Sequence, residues 1–156
     1  KYFSMPAWRL GWLVSPEDGA ARTSAYVGNL FLTPPSLSQH AGLVAMDSAE
    51  ELDGHVEVYR KNRELMLEAL PRLGLERIAP PDGAFYIYAD ISKYTNDSLA
   101  FCLKLLEDTG IATAPGVDFD PVEGHRFMRF SFALSTPQIE EAISLLEPWF
   151  AAQPQS

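Results

Sequence analysis

Apolar residues recur along this chain at two different spacings, and the change between them falls near Gly74. Upstream, Leu52, Val56, Tyr59, Met66, Leu70 and Leu73 follow three- and four-residue steps, with one turn skipped at Arg63. Glu57, Arg60, Lys61 and Glu64 fill the positions between them, the pattern of an amphipathic helix. It predicts a long helix from Ala49 to about Leu70, capped by Asp47 or Ser48 and closed by Pro71 and Gly74. At 1.5 Å per residue such a helix is roughly 30 Å long, enough to bridge two subdomains. Its charged side reads as a solvated face.

Ahead of that helix, the apolar run Trp8–Val14 predicts a short strand buried on both faces. Ser15-Pro16-Glu17-Asp18 combines a capping hydroxyl, a first-turn proline and two acids, which starts a helix expected to reach about Phe31. Thr33-Pro34-Pro35 ends it, and Ser36-Leu37-Ser38-Gln39 starts another that continues through Met46.

Beyond Gly74 the pattern shortens. Glu76–Ala79 predicts a strand, Pro80–Gly83 a turn, and the aromatic run Ala84–Ile91 the strongest strand of the chain. Asn96 or Asp97 caps a helix ending at Gly110. A strand over Ile111–Ala114 runs into Pro115-Gly116, followed by a loop carrying Asp118, Asp120 and Glu123. Phe127–Leu134 is a further strand. Ser135 with Gln138 is a capping box for a final helix that Pro148 is expected to kink or end, before a loose tail over Gln153–Ser156. This order suggests a small α+β layer with helices on one sheet face. One strand and two helices before residue 49 are too few for a separate core. The sequence therefore reads as the end of one domain plus a complete second one.

Composition narrows the function more than the fold. The 156 residues are 47% hydrophobic and 12% aromatic, ample for a packed core. A net charge of -9 with no basic patch argues against nucleic acid and anionic membrane as partners. No apolar run approaches a membrane span, and no charged-then-apolar leader opens the chain, so the cytoplasm is the expected location. Cys102 is a single cysteine in an apolar helical setting, expected as a small buried hydrophobe rather than a nucleophile. His40, His55 and His125 lie on different elements at no spacing that clamps a metal, so no metal site is expected.

Two features invite a chemical reading. Lys1 and Arg9 stand eight positions apart around an aromatic-rich turn, although on their own they read as a solvated chain end. Arg129 sits mid-strand among Phe127, Met128, Phe130 and Phe132. A guanidinium in an apolar strand is either on an edge facing water or an anchor for a carboxylate ligand held by paired hydrogen bonds.

Four segments share one likeness. Lys1-Tyr2-Phe3-Ser4-Met5-Pro6-Ala7-Trp8-Arg9-Leu10-Gly11 resembles the active-site segment S-K-x-F-x-M-x-G-W-R-x-G of class I/II pyridoxal-phosphate aminotransferases, from the lysine onward and with Ala7 in place of glycine. Pro81–Tyr86 resembles that family's P-x-G-A-F-Y turn. Ile111–Gly116 with Phe119 is similar to V-x-x-x-P-G-x-x-F, with Asp120 where glycine is usual. Met128–Ala133 resembles the R-[LIF]-[SN]-[FY]-A strand.

The resemblance implies an α/β fold overall, the aspartate-aminotransferase-like fold type I. Residues 1–48 would be the end of the large cofactor domain, 49–73 the connecting helix and 74–156 the small α+β C-terminal domain. It implies amino transfer between an L-amino acid and a 2-oxo acid, with pyridoxal 5'-phosphate as cofactor and a homodimer as the intact assembly. Lys1 would be the catalytic, Schiff-base lysine, Arg9 would pair with the cofactor phosphate, and Arg129 would grip the substrate α-carboxylate. A chain starting at the lysine would lack most of the cofactor pocket, so little transaminase activity is expected of it alone. A lyase or synthase on the same fold, or a non-catalytic α+β binding module, are the alternatives.

Overall fold

A computed structural model describes residues Lys1–Pro154, so the last two positions of the expected loose tail, Gln155 and Ser156, lie outside the described residues. Gln153, in contrast to that expectation, is tied to the preceding helix, its Nε2 donating to the Trp149 carbonyl at 2.9 Å. The chain divides into two compact units, Lys1–Val56 and Glu57–Ser156. No helix among the described residues is long and apolar enough to cross a membrane.

The first unit contains α1 (Glu17–Phe31), α2 (Ser36–Met46) and the start of α3 (Ala49–Arg72). Proline places the first two starts: Pro16 and Pro35 themselves hold the N-cap positions, and neither helix has a side-chain cap, so the hydroxyl expected at Ser15 is not used. Residues 8–14 do not form the expected strand. Leu13 is 74% and Val14 89% exposed. A strand requires a neighbour to take its backbone hydrogen bonds, and no other strand is present among the described residues of this unit.

In the second unit α3 runs through Pro71 to Arg72, slightly past the expected end. The stop is made by backbone bonds, Leu75 N–H to the Leu70 carbonyl at 3.0 Å and Gly74 N–H to that of Pro71 at 2.9 Å, with Leu70 and Leu75 both buried. Strands β1 (Tyr86–Asp90), β2 (Ala114–Pro115) and β3 (Phe127–Ser131) form an antiparallel sheet in the order β1-β3-β2. All are shorter than expected. Ala84 has a φ of 56°, which breaks the extended run before β1, and Pro115 has no N–H to continue β2. The strand expected at Glu76–Ala79 survives as a single bridge, Ile78 to Ala89.

Period-two alternation decides which sheet face is covered. Ile87, Ala89, Met128 and Phe130 are buried, in one core with Met66 and Leu70 of α3, Phe101 and Leu105 of α4 (Ser98–Thr109), and Ile139, Leu146 and Phe150 of α5 (Thr136–Ala151). Asp97 caps α4 by accepting from the Ala100 N–H at 3.0 Å, and the Ser135/Gln138 capping box opens α5. Pro148 does not end α5. Beyond it, Trp149 and Phe150 are buried against Phe101, and the Trp149 indole donates to Asp108 at 2.7 Å. That burial outweighs the hydrogen bond the proline removes.

Candidate functional site

The segment holding Lys1 and Arg9 is a chain of tight turns. Ser4 N–H donates to the Lys1 carbonyl at 3.0 Å, and Ser4, Ala7 and Arg9 all take left-handed φ, of 48°, 67° and 53°. Such values cost energy for residues with a Cβ and persist only where neighbouring contacts impose them. Two tethers are visible. The Tyr2 hydroxyl donates to Asp53 of α3 at 2.7 Å, which raises the Tyr2 pKa through that hydrogen bond. Leu10 packs on Gly42 of α2 so closely that any Cβ there would collide with it. Phe3 bridges Tyr2 and Trp12 by edge-to-face contacts at 5.1 and 5.3 Å. Lys1 and Arg9 are both exposed, and Arg9 makes no side-chain hydrogen bond or ion pair among the described residues.

Arg129 belongs to the other unit. It is not an edge residue: β3 is the central strand, with Tyr88 opposite Arg129 on one side and Ala114 on the other. Its half-buried side chain lies on the sheet face opposite the core, since Met128 and Phe130 point the other way. Among the described residues the guanidinium meets no carboxylate; it is flanked by two aromatic rings, Tyr86 at 4.1 Å and Phe119 at 4.2 Å from its central carbon.

The local fold delivers both rings. Tyr86 follows the Pro81–Ala84 turn, which α3 holds through Arg63: its Nε donates to the Pro81 carbonyl at 2.9 Å. This contact also explains the turn skipped at Arg63 in the apolar stripe. Phe119 closes the 3-10 turn Gly116–Asp118, its N–H donating to the Gly116 carbonyl at 2.9 Å. The loop is pinched at its base, where Gly116 and Gly124 approach so closely that a Cβ on either would strike the backbone of the other. Buried Ser98 fixes the Gly124 carbonyl at 2.9 Å. Asp120, standing where glycine was the usual residue, accepts from the Val122 and Glu123 N–H groups at 2.9 and 3.1 Å, and these bonds hold its pKa down.

Neighbouring groups are structural. Asp90 is 8% exposed; burial pushes its carboxyl up, but hydrogen bonds from Ser92 and then Arg126 outweigh this and leave it below the usual range. Burial pushes the Cys102 thiol up, away from a reactive thiolate. A cleft of about 560 Å³, lined by Arg77, Tyr88, Asp120 and Arg126 among others, does not include Arg129. No group of three or more His, Cys, Asp or Glu side chains converges among the described residues.

Sequence reasoning missed the contact of Tyr86 and Phe119 with Arg129. Nothing local signals it, because residues 86, 119 and 129 meet only through strand pairing and the pinched loop. It also missed Asn62, fully buried on α3, whose Nδ2 donates to the carbonyls of Phe132 at 3.1 Å and Leu134 at 2.7 Å and so secures the chain leaving β3. The spacing Tyr59, Asn62, Met66, Ala69 carried the signal.

Residues 1–146 match the family described as aminotransferase class I and II. The chain is 48% identical over 155 residues to a valine–pyruvate aminotransferase of Mycobacterium tuberculosis, covering 98% of this chain and 40% of that protein. It is 33% identical to an aspartate aminotransferase of Sulfurisphaera tokodaii, covering 94% of this chain and 38% of that one. A crystal structure of an aminotransferase from Mycobacterium tuberculosis superposes with a TM-score of 0.94 at 48% identity, covering 98% of this chain and 40% of that chain. The chain thus spans about 40% of the length of the curated relatives it matches.

Proposed function

This chain belongs to the aminotransferase class I and II family, and on that premise we propose that the protein moves an amino group between an L-amino acid and a 2-oxo acid, with pyridoxal 5'-phosphate as cofactor. The observation that carries the reading is Arg129: a guanidinium on the sheet face opposite the core, flanked by rings and met by no protein carboxylate among the described residues. A cation kept half-buried without an internal counter-ion suits a carboxylate brought by a ligand.

The residues at hand fit the cofactor. Lys1 and Arg9 offer a primary amine and a guanidinium from one tightly turned segment, the donor chemistry for an aldehyde that also carries a phosphate. When bound, pyridoxal phosphate supplies an electron sink for the electrons of the substrate Cα–H bond. Lys1 would hold the group through its ε-amine and would serve as the base that moves the proton at the substrate Cα. Arg9 would hold the phosphate, and Arg129 would take the α-carboxylate through paired N–H groups, which would orient Cα–H. The reading includes residues 1–48 as part of a cofactor domain, 74–156 as a small domain, a homodimer and a cytoplasmic location.

Borohydride reduction of the intact protein that contains this chain, incubated with pyridoxal phosphate and followed by peptide mass analysis, tests the assignment. A pyridoxyl group on Lys1 is expected. Its absence, with no amino acid formed from a 2-oxo acid and an amino donor, would remove the reading.

A further inference from the structure

The contact around Arg129 carries a second step, which rests on its proposed role as carboxylate anchor. An arginine side chain with no hydrogen-bond partner ordinarily samples many rotamers, and ordering it on binding costs about 2 kcal/mol of side-chain freedom. Here two rings lie within 4.2 Å of the guanidinium carbon. A ring that covers the face of a guanidinium leaves its N–H edge open, and that edge makes in-plane, two-pronged bonds to a carboxylate. Stacking and carboxylate binding therefore use different parts of one group.

The two rings differ in what else they do. Tyr86 is part of β1, where removing it would disturb the sheet. Phe119 is 49% exposed and lies outside the hydrophobic core. It is nevertheless held in place, by the Gly116–Gly124 pinch and by Asp120 bracing the next turn. An aromatic residue half open to water, on a loop this tightly built, has a role other than burial.

We propose that Phe119 is a positioning residue: with Tyr86 it fixes the Arg129 guanidinium and presents its N–H edge, pre-ordered, to a planar carboxylate. The substrate then meets an arginine whose freedom has already been lost on folding. In chemical terms Phe119 touches Arg129 and acts through it.

The test follows the Arg129 Nε–Hε resonance of the chain by NMR, identified through Arg129→Gln, during titration with sodium acetate. Wild-type protein should show a saturable shift. Phe119→Leu keeps apolar bulk but removes the ring face, and should weaken acetate about fivefold. Phe119→Tyr should restore the wild-type affinity, a rescue that simple filling of space would not discriminate. Unchanged amide spectra beyond the 116–126 loop establish that the variants are folded. Equal acetate affinity in wild type and Phe119→Leu overturns the positioning role while leaving Arg129 as an anchor. A wild-type Arg129 resonance that acetate does not move overturns both.

Discussion

The two compact units treat apolar residues in opposite ways. In Glu57–Ser156, helices α3, α4 and α5 seal Leu70, Leu105, Met128 and Phe150 from water. In Lys1–Val56, α1 buries nothing, and Leu30, Phe31, Leu43 and Val44 are exposed. The candidate residues follow the same division. Arg129 stands on a sheet backed by a closed core, whereas Lys1 and Arg9 stand on turns held by Tyr2–Asp53, Leu10 on Gly42 and left-handed backbone. An amphipathic pattern determines which side of an element is apolar; only the rest of the structure determines what covers that side.

The tryptophans allow this contrast to be tested unit by unit, because Trp8 and Trp12 report the first and Trp149 the second. The largest expected effect is in the closed core. Phe150→Ala should lower stability by about 3–5 kcal/mol in denaturant unfolding followed by Trp149 fluorescence. Leu30→Ala, at a site 60% exposed, should stay within about 0.5 kcal/mol. A Leu30→Ala loss comparable with that of Phe150→Ala would erase the distinction between the units.

Asn62→Ala comes next. It leaves the buried Phe132 carbonyl and the partly buried Leu134 carbonyl without their side-chain donor, and a loss of about 1–3 kcal/mol is expected in the same assay. A change below 0.5 kcal/mol, roughly the spread of a neutral surface substitution, would mean water replaces the amide there.

These residues also mark where the sequence was legible. The α-helices among the described residues can be read because their signals are local: prolines before α1 and α2, the Asp97 cap, the Ser135/Gln138 box. The run at residues 8–14 was misread because an apolar stretch carries no information about whether a neighbouring strand exists. Arg129 stands out as a charge in an apolar strand, but its face is set by sheet order and its ring contacts by a loop ten residues away. Asn62 is hidden for the opposite reason: a polar letter at a core spacing looks like a break in the stripe, although the amide faces inward.

A smaller effect distinguishes the units in acid. The lowered carboxylates, Asp90, Asp108 and Asp120, all belong to the second unit, whereas raised tyrosines occur in both, Tyr2 in the first and Tyr88 and Tyr94 in the second. A depressed carboxylate contributes stability that is present above its unfolded value, about 4, and lost as pH falls through the folded one. The Trp149 transition should therefore weaken on acidification toward about pH 3, and Asp90→Asn should flatten that dependence. A raised tyrosine contributes below about pH 10 and loses its contribution above it. Alkali should accordingly loosen both transitions, and Tyr2→Phe should remove the response of the Trp8/Trp12 signal while leaving that of Trp149, where Tyr88 and Tyr94 are also raised. The same acid dependence in wild type and Asp90→Asn would show that Asp90 is not its source.

The smallest effect bears on the first unit's turns. Ala7 holds a φ of 67° in the position where the resembling segment carries glycine. A left-handed alanine costs roughly 1–2 kcal/mol, while glycine there gives back about 0.4–1 kcal/mol through the freer unfolded chain. The difference is a net gain of about 0.5 kcal/mol for Ala7→Gly, visible in the Trp8/Trp12 transition and absent from that of Trp149. The alternative outcome is equally informative. If Ala7→Gly lowers the Trp8/Trp12 midpoint, the methyl group stiffens the turn between Lys1 and Arg9 more than the left-handed backbone strains it, and this alanine is then a device for holding those two residues rather than a defect in the segment.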